Sequence, residues 1–319
     1  MSSGYIFTTK NSLSDAINEW IADEAAATTS YGDINYWDVS AITDFSNLFN
    51  GSTFNSDINN WDVSSGTNFE LMFYNADAFN QDISSWDISN GNNFYGMFAA
   101  AQVFNQDISS WDVSSGTNFR SMFWNASAFN QDIGSWDVSS GTNFTRMFYY
   151  AHEFNGDIGS WDVSSGTDFS FMFEEAHSFN QDIGSWDVSS GTDFNSMFWN
   201  ANAFNQDIGG WDVSSGTNFA YTFGGGNNAF NQDISSWDVS SATNFYAMFA
   251  YSPFNPNISS WDVSSGTNFN YMFYEADAFN QDIRSWNVSS GTQFSDMFLG
   301  ADNMQNNYGF SATPTSSEF

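Results

Sequence analysis

FNQDISSWDISNGNNFYGMFAAAQV, residues 79–103, is one copy of a phrase that this chain of 319 residues repeats eleven times. The copies are registered by Trp37, Trp61, Trp86, Trp111, Trp136, Trp161, Trp186, Trp211, Trp237, Trp261 and Trp286. Successive gaps are 24 or 25 residues, with one of 26. A fixed period of this length marks one supersecondary unit stacked on itself rather than an enzyme-like globular core. The expected fold class is therefore a repeat solenoid.

Within the unit, Trp86-Asp87-Ile88-Ser89 alternates apolar and polar residues. That predicts a short strand with Trp86 and Ile88 inward, repeated as a parallel sheet about 4.8 Å from turn to turn. A bend follows at Ser-Ser-Gly-Thr in most copies. Phe94, Met97, Phe98 and Ala101 then recur at three-to-four spacing, which predicts a short helical segment behind a Thr N-cap in most turns. Like residues stack in columns: Phe69 with Phe94, Phe73 with Phe98, Phe79 with Phe104. Asn55, Asn80, Asn105 and their successors form a polar column, expected to be buried and to bond the loop backbone.

The chain divides into three parts. Residues 1–30 are an N-terminal cap, with a helix expected over about 12–21 (Ser12 as N-cap) and a connector from Ala22 to Ser30. Residues 31–304 hold the eleven repeats of ~25 residues. Residues 305–319 read as a tail or a linker. Two length changes interrupt the array: Phe223 to Phe230 holds one residue too many, and Phe249 to Phe254 one too few.

Composition narrows the function. The formal net charge is −33, and Lys10, Arg120, Arg146 and Arg284 are the only basic residues. Such a field repels nucleic acid and anionic lipid. There is no cysteine, so no disulfide or thiolate chemistry. No apolar run approaches the roughly 18 residues of a membrane-spanning helix. Neither a nucleophile–base pair nor a phosphate loop is visible, so the chain reads as non-enzymatic.

The phrase W-D-V-S-x-x-T-x-F-x-x-M-F-x-x-A-x-x-F-N-x-D-I, with the lead-in from Phe7 through Trp20 to Trp37, resembles the tandem repeat of bacterial surface lipoproteins of mycoplasmas and marine microbes. Those repeats look like relatives of BspA-like leucine-rich repeats. The resemblance, covering roughly residues 7–304, implies a leucine-rich-repeat-like β-solenoid at the cell surface or outside the cell, working by adhesion or recognition of a protein or glycan. It carries over no catalytic residue. Gly66 and Gly91 stand where the family usually has Val, and Phe69 and Phe94 where Met is commoner, an exchange expected to preserve core volume. The alternative function is a self-associating structural subunit of a filament or surface layer.

Two features carry the candidate sites. The slots after Met-Phe, and those after the first Phe, vary from turn to turn and should face outward. Tyr74, Trp124, Tyr149, Tyr150, Trp199 and Tyr274 are the candidate partner-binding residues, with Tyr95, Arg120, Arg146, Phe171, Tyr221, Tyr246 and Tyr271 beside them. The Asp column after Trp (Asp62, Asp87, Asp112, Asp137, Asp162, Asp187, Asp212, Asp238 and Asp262) has two readings: hydrogen bonds to Ser with diffuse counterions, or an ordered calcium (Ca2+) array. A second Asp column, including Asp82 and Asp107, reads as turn chemistry. His152 and His177 share one slot in consecutive turns and read as exposed histidines rather than a metal pair.

Overall fold

In the computed structural model, which describes residues 4–319, the recurring tryptophans form one file. All are buried. Neighbouring indoles lie nearly parallel, with centroids 6.3–6.5 Å apart, at Trp61–Trp86 and in the pairs from Trp111–Trp136 to Trp211–Trp237. From Trp61 to Trp286, each Nε1–H donates to the carbonyl of the Ile three residues before the preceding turn's Trp, at 2.8–3.1 Å. The indole thus buries its area and satisfies its one donor across the same turn boundary. Phe49, Phe73 and their equivalents to Phe298 form a second file at 5.1–5.9 Å.

The turns stack without strands, and this corrects the β-solenoid and leucine-rich-repeat expectation. No strand or sheet occurs among the described residues. The β-pairing between adjacent turns is limited to single-residue parallel bridges, from Asp44↔Asn68 to Asn268↔Gln293. The alternation at residues 86–88 does place Trp86 and Ile88 inside and Asp87 outside. Its backbone donors are diverted, however. Asp87 Oδ1 accepts Ser89 N–H at 3.0 Å and Asp82 Oδ1 accepts Ser84 N–H at 2.9 Å, so a turn closes on each side. Trp86 N–H and Gly91 N–H point back to Ile83 and Ile88 carbonyls of their own turn. Too few donors remain for a ladder.

The helical segment is also absent from the repeats. Met97, Ala99 and Ala101 N–H groups close turns onto residues three back, while Phe94, Gly96, Phe98 and Ala100 N–H groups donate to Asn118, Arg120, Met122 and Trp124 carbonyls of the next turn. A chain that sends alternate donors to its neighbour cannot make consecutive i→i−4 bonds. The third and seventh residues of this segment, such as Leu71 and Asn75, adopt φ of 53° and 54°. The threonines do not cap helices either: Thr117 Oγ1 donates to Asn92 O of the preceding turn at 3.2 Å.

The asparagine column is half-buried to exposed rather than buried. From Asn55 onward each Oδ1 accepts the next turn's Asn N–H, at 2.8–3.0 Å. The glycine-for-valine exchange has a direct cause. A Cβ on Gly141 would lie 2.6 Å from Phe144 Cζ and 2.9 Å from Val138 O, so the ring occupies the missing side chain's space. Ala242 replaces this glycine in one turn, and there the Phe219–Phe245 separation widens to 6.4 Å.

Both ends are covered. Helix α1, Lys10–Ala22, begins behind Thr9, whose Oγ1 accepts Ser12 N–H; the cap is three residues earlier than Ser12. Trp20 of α1 meets Trp37 edge-on at 5.8 Å. The expected connector is largely helix α2, Glu24–Tyr31, started by Asp23. Its alanines are strong helix formers, and its lack of an apolar stripe hid it. At the far end, helix α3, Asp302–Tyr308, leads through Gly309 (φ 78°) to buried Phe310. Residues 305–319 fold back over the last turn: Phe310 and Phe319 pack on Phe298 at 4.8 and 6.5 Å.

Candidate recognition surface

The segment that sends its alternate donors to the next turn also presents the variable side chains. In it, every third and seventh residue is held in the left-handed region. The occupants include Arg146, Tyr150, Phe171, Glu175, Tyr221, Tyr251, Tyr271 and Glu275, all with φ between 53° and 60°. Glycine takes the same slots at Gly51, Gly96, Gly225 and Gly300. A bulky residue there costs about 1–2 kcal/mol relative to the right-handed region.

The six candidate partner-binding residues are all half-buried and share this face. Tyr74 reaches over Ala99 to Trp124, ring centroids 6.3 Å apart. Trp124 stacks on Tyr149 at 6.4 Å, and Tyr149 meets Tyr150 edge-on at 4.5 Å. Trp199 and Tyr274 belong to a second cluster. There Trp199 meets Tyr221 at 5.0 Å, Tyr221 meets Tyr246 at 4.9 Å, and Tyr246 meets Tyr271 at 5.4 Å. Tyr251 closes this group on Tyr274 at 5.2 Å. Tyr251 was not among the expected contact residues, although it holds the same slot after Met-Phe as Tyr150.

Between the clusters lies a carboxyl group in an unfavourable place. Burial pushes Glu174 up to about 7, and its Oε2 has no hydrogen-bond partner. Burial, with Glu174 as a secondary cause, pushes Tyr149 up to about 12; Tyr221 is likewise raised to about 12, by burial first. Glu174 is protonated more readily in the folded than in the unfolded chain, so its stability contribution is present below the ordinary glutamate range and lost as pH rises through about 7. Glu174→Gln is therefore expected to raise the melting temperature by about 1–3 °C at pH 8, a small effect because solvent still reaches the group. It should change little at pH 4.5. Equal shifts at both pH values would refute the assignment.

His152 and His177 stack at 4.6 Å. His152 Nδ1 lies 2.9 Å from Glu175 O, and His177 Nε2 lies 2.8 Å from Glu175 Oε2. Asn200 Nδ2 donates to the other Glu175 oxygen at 2.7 Å. Among the described residues, no three His, Asp or Glu side chains gather as a metal-binding group.

Each candidate calcium ligand from Asp62 to Asp262 is exposed, and its Oδ1 accepts the N–H of the serine two residues on, at 3.0–3.1 Å. The serine hydroxyl adds a bond in several turns, as at Asp112–Ser114, 2.6 Å. These bonds, the hydroxyl first, hold Asp87, Asp137, Asp187, Asp212, Asp238 and Asp262 below the usual carboxylate range. Each of these carboxylates is thus engaged in hydrogen-bonded turn chemistry within its own turn.

The profile of a family described as "Mycoplasma protein of unknown function, DUF285" matches residues 21–135, 117–229 and 225–311 in tandem. The chain belongs to this family. No curated protein matches it. Among solved structures, "Functional domain of InlJ from Listeria monocytogenes includes a cysteine ladder" aligns at 10% identity over 80% of this chain and 64% of that one, with a TM-score of 0.14. The alignment spans less than two thirds of that protein's chain, and a likeness this low says nothing about the fold.

Proposed function

We propose that this DUF285 chain is a non-enzymatic repeat protein of the cell surface that recognises a partner through its aromatic face. One observation carries the reading: bulky aromatic side chains occupy backbone positions where glycine or asparagine would be cheaper. Tyr150, Phe171, Tyr221 and Tyr271 sit at positive φ, and the same slots in other turns hold Asn75, Asn125, Asn200 or Gly96. Strain retained at the expense of stability points to a use for the side chain. Tyrosine and tryptophan in a row are also the residue types that carry binding energy at interfaces. The covered ends disfavour the alternative of end-to-end filament growth.

The test separates use from packing. Tyr150→Asn/Tyr221→Asn/Tyr271→Asn should melt within about 5 °C of the parent, since relief of strain offsets lost contact area. Parent and variant are then passed over immobilised basic, acidic and neutral peptides and over charged and neutral polysaccharides. Retention of the parent by some member, lost in the variant, is expected. Equal retention of both, or retention of neither, would remove the support for recognition by this face.

A further inference from the structure

Resting on that reading, we propose that the C-terminal aromatic cluster is a docking groove for the arginine side chains of a basic peptide. The groove encloses about 400 Å³. Its walls are Trp199 and Tyr221 at one end and Tyr271 and Tyr274 at the other, with Tyr246 and Tyr251 along the sides. Its floor is low because one turn carries small residues there: Ala247 takes the slot that holds Tyr221 and Tyr271 in the flanking turns, and Ala250, like Gly224 before it, the slot that holds Trp199 and Tyr274. The inserted residue between Phe223 and Phe230 falls in the turn that carries Tyr221, and the missing one between Phe249 and Phe254 in the next turn, which carries Tyr246 and Tyr251. Repetition is broken where the depression forms.

The chain shows how its own face takes a guanidinium. Arg120 Cζ lies 5.7 Å from the Tyr95 ring centroid, each being the residue after the first Phe of its turn. Arg146 lies 4.4 Å from Phe171, its equivalent one turn on. In both cases an arginine in one turn covers the ring in the same slot of its neighbour, a cation–π contact. Tyr246 continues the first of these rows across the groove and Tyr221 and Tyr271 the second, and no arginine of the chain covers them. Arg284, the only basic residue beyond Arg146, is held by Asp282 at 2.8 and 2.9 Å and lies over Tyr308.

Charge favours the same occupant. Residues 199–319 carry eleven acidic side chains against that single arginine, and Asp296 is one of the residues lining the groove itself. A field of this sign concentrates cationic segments at the surface. The planar guanidinium then selects for rings, because it stacks as well as bonds, which an ammonium does less well. A neutral glycan would use the rings but gain nothing from the charge, so the basic peptide is the occupant that uses both.

The probe is a dodecapeptide of alternating glycine and arginine, with its citrulline counterpart, which keeps the planar shape and loses the charge. Binding to the full chain is followed by calorimetry at 0.15 M salt, so that diffuse attraction to the acidic columns is screened. The arginine peptide should bind at least tenfold more tightly than the citrulline peptide. Affinity should fall at least tenfold in Tyr221→Asn/Tyr271→Asn and at least threefold in Asp296→Asn, with melting curves confirming the fold. Should the double variant unfold, Ala247→Trp fills the floor instead and must weaken binding equally. Undiminished binding by a folded variant, or equal binding of the citrulline peptide, overturns the proposal. Capture by polysaccharide alone, lost with the aromatic substitutions, would overturn the basic peptide yet leave recognition by this face standing.

Discussion

Phe173→Ala is expected to cost about 3–5 kcal/mol of unfolding free energy, measured by urea denaturation. Phe173 is fully buried. Its ring lies between Phe148 at 5.6 Å and Phe198 at 5.7 Å, against Phe179 of its own turn at 4.0 Å and near Trp186 at 6.2 Å. Truncation removes one member of a file whose neighbours are each held by the next turn. Those neighbours cannot collapse into the space without breaking their own stacks, so the cavity term adds to the lost transfer energy. In an array where each turn touches only its neighbours, the defect also weakens the coupling between the two halves. The urea slope should therefore fall along with the midpoint, as the halves begin to unfold separately. A loss below about 1 kcal/mol would show that the file is not the core.

What could be read from the chain follows from which groups repetition exposes to view. Apolar columns were legible, because an apolar residue recurring every 24 to 26 positions must meet its own copy if the units stack. The inward and outward alternation at Trp86, Asp87 and Ile88 was legible for the same reason. The absence of strands was not. It depends on where single backbone donors go, and Asp82 and Asp87 divert them through side-chain bonds to Ser84 and Ser89. The three-to-four spacing of Phe94, Met97, Phe98 and Ala101 mimicked a helix, since a run of i→i−3 turns has nearly the same period. Its signature lay elsewhere, in slots that alternate between glycine, asparagine and bulky residues, such as Gly96, Asn125 and Tyr221. Glycine and asparagine recurring in one slot mark a left-handed position. That signal was present at 51, 75, 96, 125, 200, 225 and 300, but aromatic and acidic occupants obscured it. The candidate face was found through its variability; the groove within it was not, because it arises from Ala247 and Ala250 between rings, and small residues draw no attention in a sequence.

Removing residues 310–319 should convert a capped array into one that associates through its end. Phe310 is buried, and Phe319 packs on Phe294 at 5.9 Å and on Phe310 at 5.0 Å. The tail also stands in for a following turn. Phe298 N–H donates to Ala312 O at 2.9 Å, as Phe273 N–H donates to Met297 O at 3.0 Å in the turn before. Asp296 N–H donates to Thr313 Oγ1 at 2.9 Å, where Tyr271 N–H uses Ser295 O. Without the tail, Phe294 and Phe298 face water and these donors lose their partners, an apolar surface bearing unpaired backbone groups. The truncated chain should melt at least 5 °C lower and sediment as concentration-dependent oligomers, whereas the intact chain serves as the reference. Two opposing terms set the salt dependence. Like charges in the Asp columns repel across a new junction by about 0.9 kcal/mol per pair at roughly 4.8 Å in water, while burial of two phenylalanine faces favours contact by several times that. Association should thus proceed at low salt and strengthen as salt screens the carboxylates. A truncated chain that stays monomeric at millimolar concentration in high salt, with an unchanged melting curve, would mean that the tail is ornament rather than cap.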